Sequence, residues 1–77
     1  MLFLIEYDRL RGKIKTLNTF ADSQRETAEN MRLERELQLN RKGVENEVVI
    51  LEAASEEALR RTHRRYFENL SELVKAS

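Results

Sequence analysis

His63 is the single histidine in the chain and the residue that most invites a chemical reading. At helical spacing its neighbours three and four residues away are Arg60, Leu59, Tyr66 and Phe67, so no carboxylate on its own turns can orient the ring or share a metal. General-base or metal chemistry needs a second polar group within hydrogen-bonding reach, and the sequence offers neither another His nor any Cys. The spacing predicts a half-buried imidazole packed against aromatic rings. An enzyme built across a dimer interface around His63 and Tyr66 is the one catalytic reading left, and it needs a carboxylate from the other chain beside the ring.

Arg60, Arg61, Arg64 and Arg65 form the most basic stretch, and such a helix face can lay guanidinium groups along phosphates. Glu57 lies four residues before Arg61, and Glu68 four after Arg64. That spacing supports intrahelical ion pairs worth about 0.2–0.5 kcal/mol each, so a solvated face is the first expectation and weak nucleic-acid binding through the four arginines the alternative. Arg9, Arg11, Lys13 and Lys15 widen the patch only if the segment carrying them shares a face with this helix. Glu26, Glu29, Glu34 and Glu36 lack the Glu-x-x-His that a helix-bundle metal site requires; alternating with Arg25, Arg32 and Arg35, they read as a solubilising face. Gly12 and Gly43 are isolated, which excludes a phosphate-cradling loop, and no Ser stands in a nucleophile-elbow context. Tyr7 and Tyr66 are expected as half-buried core residues. No catalytic, metal-binding or cofactor-binding residue is assigned, and no cofactor is expected.

The frame that must position these residues is small. At 77 residues a domain buries only about 60% of the surface its unfolded chain exposes. Without Cys there is no disulfide to supplement the core, which leaves oligomerisation as the remaining way to bury more. Fourteen Lys and Arg balance fourteen Asp and Glu, removing the simplest argument for a nucleic-acid or anionic-membrane partner. The opening Met1-Leu2-Phe3-Leu4-Ile5 is followed at once by Glu6 and Asp8 with no basic n-region, unlike a signal peptide. No apolar run approaches the length of about 20 residues that spans a bilayer. A cytoplasmic single domain, residues 1–77, is the expectation.

Leu2 to Asp8 is apolar on both alternations, as a central strand requires. Lys13 to Phe20 is more polar and suits an edge strand guarded by lysines. Asp8 and Gly12 bracket a turn, predicting a hairpin with a G1-type bulge. Ser23-Gln24-Arg25-Glu26 fits a capping box opening a helix that ends at Gly43 in a Schellman motif, with Val44 folding back on Leu39. Glu47 to Glu52 suits a short buried strand. Ser55 caps a last helix whose apolar face runs through Ala58, Leu59, Thr62, Tyr66, Phe67, Leu70, Leu73 and Val74. The sum is an α+β fold: a small ββαβα two-layer domain in which a three-stranded sheet, hairpin plus one strand, packs with two helices.

On the first helix Leu33, Leu37 and Val44 point to one side, and Ala28, Met31 and Leu39 roughly half a turn away. One side packs on the sheet and the other needs a partner, the last helix or water. The central strand is likewise apolar on both faces, and if both helices share one face the other wants a second chain. A non-enzymatic protein-interaction module, a homodimer or one paired with another protein chain, is therefore the leading expectation, with Leu2, Leu4, Met31 and Leu39 as its candidate contact residues. The competing expectation is one helix on each face, with Met31 and Leu39 as ordinary surface residues.

Overall fold

The computed structural model describes residues 1–67. Strand β1 (Leu2–Asp8) turns back as β2 (Lys13–Phe20), and α1 (Arg25–Lys42), β3 (Glu47–Glu52) and α2 (Glu56–Thr62) follow. The α+β class and the ββαβα order are those the sequence predicts. The sheet order is β2-β1-β3 and both pairings are antiparallel. The strand that is apolar on both alternations thus takes the centre, where its backbone groups are paired on each side and Leu2, Phe3, Leu4, Ile5 and Glu6 are all buried.

Asp8 closes the hairpin twice. Its carbonyl accepts the Gly12 N–H at 2.8 Å and its carboxylate accepts the Arg11 N–H at 3.1 Å. Gly12 takes a φ of 66°, as a turn of this kind demands. The register irregularity lies further along β2 than expected: Glu6 opposes Thr16 while Tyr7 opposes Ile14, so Lys15 is the extra residue of a bulge. The reason is a packing one. Ile14 and Leu17 both pack on the cluster of Phe3, Ile5 and Leu59, yet three residues apart they would face opposite ways on a regular strand. The bulge resets the alternation.

Helix α1 starts differently from the predicted capping box. A 3-10 turn, Asp22–Gln24, precedes it. The Ala21 N–H donates to Gln24 Oε1 at 3.0 Å, and the Gln24 N–H donates to the Ala21 carbonyl at 2.9 Å. Because β2 persists to Phe20, the chain must reverse at Ala21, which places Ser23 inside the turn and leaves Gln24, in place of Glu26, to fold back. The other end is as predicted: Gly43 adopts φ 68°, and the Val44 N–H donates to the Leu39 carbonyl at 2.9 Å.

Ser55 Oγ caps α2 by accepting the Ala58 N–H at 3.1 Å, but the helix stops at Thr62, well short of the predicted span. His63 leaves helical geometry (φ −125°, ψ 52°) and a 3-10 turn, Arg64–Tyr66, follows. Arg60 with Arg64, and Arg61 with Arg65, are like charges four residues apart, which oppose helix continuation. Thr62 adds a competing bond by donating its hydroxyl to the Ala58 carbonyl at 3.0 Å. The predicted face residues Leu70, Leu73 and Val74, with Glu68, lie outside the described residues.

Each face of the sheet carries its own helix. Phe3, Ile5 and Leu59 form the core on the α2 side; Leu4, Leu39 and Val48 form it on the α1 side. The sheet is therefore the middle of a helix–sheet–helix stack in place of the expected two layers, because β1 offers apolar residues to both sides and one helix can satisfy only one of them.

Gly43 supplies a direct test. A Cβ there meets nothing within 4 Å, so Gly43→Ala is expected to cost only the left-handed backbone penalty of about 1–2 kcal/mol. Urea unfolding should show that loss, with Gly43→Asn falling between the two.

Candidate functional site

Two carboxylates near the hairpin end organise the polar side of this fold, one on each face of the sheet. Glu6 lies on β1 on the same face as Leu2 and Leu4 and is 3% exposed. A carboxylate so placed is costly unless paired and hydrogen-bonded. Arg35 Nη1 donates to its Oε1 at 3.0 Å, Asn46 Nδ2 donates to its Oε2 at 2.8 Å, and Lys15 Nζ stands 3.9 Å from Oε2. Each partner arrives by a different device. Arg35 shares a helical stripe with Ala28 and Leu39, lying seven residues after the first and four before the second. Asn46 sits in the segment entering β3, and the bulge sets Lys15 beside Thr16 opposite Glu6.

Glu47 sits on the opposite face, paired with Tyr7 across β1 and β3. Arg65 Nη2 lies 3.4 and 3.3 Å from its two oxygens and Arg9 Nη2 lies 3.5 Å away. Arg65 also hydrogen-bonds the Tyr66 hydroxyl and stacks over that ring at 4.2 Å. Tyr66 meets Tyr7 edge-on with ring centres 5.1 Å apart, and the Tyr7 hydroxyl donates to the Arg65 carbonyl at 3.3 Å. Burial pushes the Tyr66 phenol above its usual value of 10.0, and hydrogen bonding to Glu47 pushes the same way. His63 is half-buried, its ring 6.5 Å from that of Tyr66. Among the described residues no group of three His, Cys, Asp or Glu side chains is placed to hold a metal ion. Both oxygens of Glu6 are already engaged, so what this arrangement does chemically is neutralise buried charge and tie loops to the sheet.

The candidate contact residues fall elsewhere than expected. Leu2, Leu4 and Leu39 are buried inside the chain, and Met31 is half-buried against the Leu4, Leu39 and Val48 cluster. Leu2 and Leu4 are core residues because each face of the sheet carries a helix, and Met31 and Leu39 because the Ala28, Met31 and Leu39 side of α1 is the one turned to the sheet. The opposite side, with Leu33 53% exposed and Leu37 49% exposed, faces water. Of the four C-terminal arginines, Arg60 is held by Glu56 at 3.1 Å and lies over the Phe67 ring at 4.6 Å, and Arg65 is held by Glu47. Arg61 and Arg64 are exposed. The ion pair on α2 is thus Glu56 with Arg60, in place of the expected Glu57 with Arg61. Because Arg9 and Arg65 converge on Glu47, the hairpin tip shares a face with Arg65.

Glu6 and Glu47 were the residues that pattern reading missed. For Glu6 the signal was present: a carboxylate inside an otherwise apolar central strand must find a cation, and Arg35 is the cation on the stripe of α1 that also carries Ala28 and Leu39. For Glu47, at the start of a strand, no comparable signal existed.

Comparison with protein-family models, curated proteins and solved structures finds no match. The molecule is defined by its own geometry as a small α+β domain, and among its described residues no helix is long and apolar enough to cross a membrane.

Removing one partner of a buried pair strands the other. Arg35→Met is therefore expected to lower unfolding free energy by about 3 kcal/mol in urea titrations, at the low end of that class because Lys15 remains nearby. Lys15→Met should cost less than about 1 kcal/mol, and Glu6→Leu combined with Arg35→Met should recover most of the loss. A second expectation concerns alkaline pH. The folded Tyr66 phenol keeps its proton above the unfolded value, so its contribution is complete below pH 10 and declines as pH rises through the folded value. Stability measured against pH should fall above pH 10, and Tyr66→Phe should flatten that decline.

Proposed function

We propose that this domain is a non-enzymatic protein-interaction module that pairs with a second copy of itself through the outer face of α1. The observation that carries the reading is the pair Leu33 and Leu37, one turn apart and about half exposed, with Val44 beyond them 40% exposed. The other stripe of the same helix is already spent on the core, so these side chains have no use within the described chain. Exposed apolar side chains grouped on one helix stripe, in place of being scattered singly, point to an interaction surface, and a chain this short gains proportionally from covering it.

A second copy fits this face in an antiparallel two-fold arrangement, which requires the surface to be self-complementary. Leu33 of one helix then lies against Leu37 of the other. The reading requires no cofactor and no membrane. A cytoplasmic setting belongs to the same proposal and is supported by a highly charged chain without Cys.

The test is the molar mass in solution by light scattering behind a sizing column over a wide range of loading concentrations. The expected result is twice the chain mass of 9.1 kDa, reduced to the monomer by Leu33→Glu with Leu37→Glu while the circular dichroism is unchanged. A native chain that stays monomeric at every concentration overturns the reading.

A further inference from the structure

We infer that the hairpin end of the sheet is a binding site for the phosphate backbone of a nucleic-acid strand. The net charge of the whole chain is zero, but it is unevenly distributed. Residues 8–15 hold Arg9, Arg11, Lys13 and Lys15 against the single acid Asp8. These cations exceed what the fold needs. Glu6 is satisfied by Arg35 at 3.0 Å and by Asn46, which leaves Lys15 at 3.9 Å as a surplus charge. Glu47 is spanned by Arg65, which leaves Arg9 at 3.5 Å in the same position. Arg11 is 3.7 Å from Asp8, and Lys13 has no ion pair among the described residues.

These four side chains border an open groove of about 730 Å³ between the hairpin turn and the segment that follows α1, where Val44, Glu45 and Asn46 form the far wall. Arg9, Arg11 and Lys15 are each more than three-fifths exposed. Exposed cations strung along a groove suit an extended polyanion met at several points, and among the described residues that line it no buried donor set encloses a single small anion. Among the described residues the groove is lined by no aromatic side chain, so they offer no platform for stacked bases. Contact is therefore with phosphates, which confers affinity without sequence preference. Leu10, 94% exposed at the turn between Arg9 and Arg11, raises the rival of insertion into an anionic lipid surface. The concavity favours the strand, because a flat bilayer cannot follow it.

The experiment is fluorescence anisotropy with a labelled oligothymidylate and, separately, a labelled duplex, titrated with the full chain from about 50 to about 200 mM salt. Binding that weakens steeply with salt is expected. Arg11→Gln with Lys13→Gln should lower affinity at the lower salt by roughly tenfold and flatten the log–log salt slope by about 1.4 on the single strand, at about 0.7 for each phosphate that is no longer neutralised. Arg61→Gln with Arg64→Gln should change neither. All four side chains are exposed, so the variants are expected to fold, with circular dichroism as the check and each single substitution giving a smaller step in the same direction. Binding to the duplex alone would keep the backbone contact and reassign the strand as one of a helix. No salt-dependent binding, an equal loss from the Arg61 and Arg64 substitutions, or sedimentation with anionic vesicles that needs Leu10 in the absence of DNA binding would each overturn the inference.

Discussion

The carboxylate of Glu6 is the constraint around which the described chain is arranged. It occupies the central strand, one place along from four buried apolar residues, and is 3% exposed. An ionised group in that position requires both a counter-charge and hydrogen bonds to each oxygen. Arg35 from α1 and Asn46 from the entry to β3 provide them. Three separate stretches of chain are thereby tied to one point on the sheet, and the loop between α1 and β3 is fixed as well as the helix.

That requirement resolves the two-sidedness of α1. On hydrophobicity alone the helix can turn either apolar side to the sheet, and the side with Leu33 and Leu37 has the larger residues. The stripe of Ala28 and Leu39 wins because it also carries Arg35. Rotating the helix half a turn would bury two leucines and leave Glu6 without its nearest cation, an exchange in which stranding a buried charge costs about 3–5 kcal/mol. The leucines are consequently left in water, where they form the surface from which self-association is argued. The small side chain of Ala28, fully buried, is consistent with α1 lying close against the sheet at that position.

The two faces are built on different principles. The α1 face combines a small apolar cluster with the Glu6 network. The α2 face is more apolar, with Phe3, Ile5 and Leu59 fully buried, and closes with Tyr66 edge-on against Tyr7. Glu47 then gathers Arg9 from the hairpin and Arg65 from the segment after α2. Both carboxylates draw the basic hairpin toward the body of the domain, yet neither uses all of the positive charge that arrives. Charge segregated to one end of a neutral molecule can act on a partner in a way that net charge conceals.

The central place of β1, the hairpin, the end of α1 at Gly43, the start of α2 at Ser55 and the ββαβα sequence of elements were legible in the residues. Those features are local: Gly43 is the only residue there free of Cβ, Ser55 can accept from an N–H three residues on, and β1 is apolar on both alternations. Three decisions belonged to the tertiary structure. The bulge at Lys15 arises because Ile14 and Leu17 must reach the same face. Helix α2 stops at Thr62, where repulsion among arginines meets a competing hydroxyl bond. The choice of α1 face, which moved Leu39 from candidate surface to core while a helix on each sheet face did the same for Leu2 and Leu4, follows from pairing Glu6 with Arg35, 29 residues apart in sequence. Periodicity sorts residues into faces but gives no information on which face meets which; that depends on a charge pair formed across elements, and only the folded chain brings its two members together.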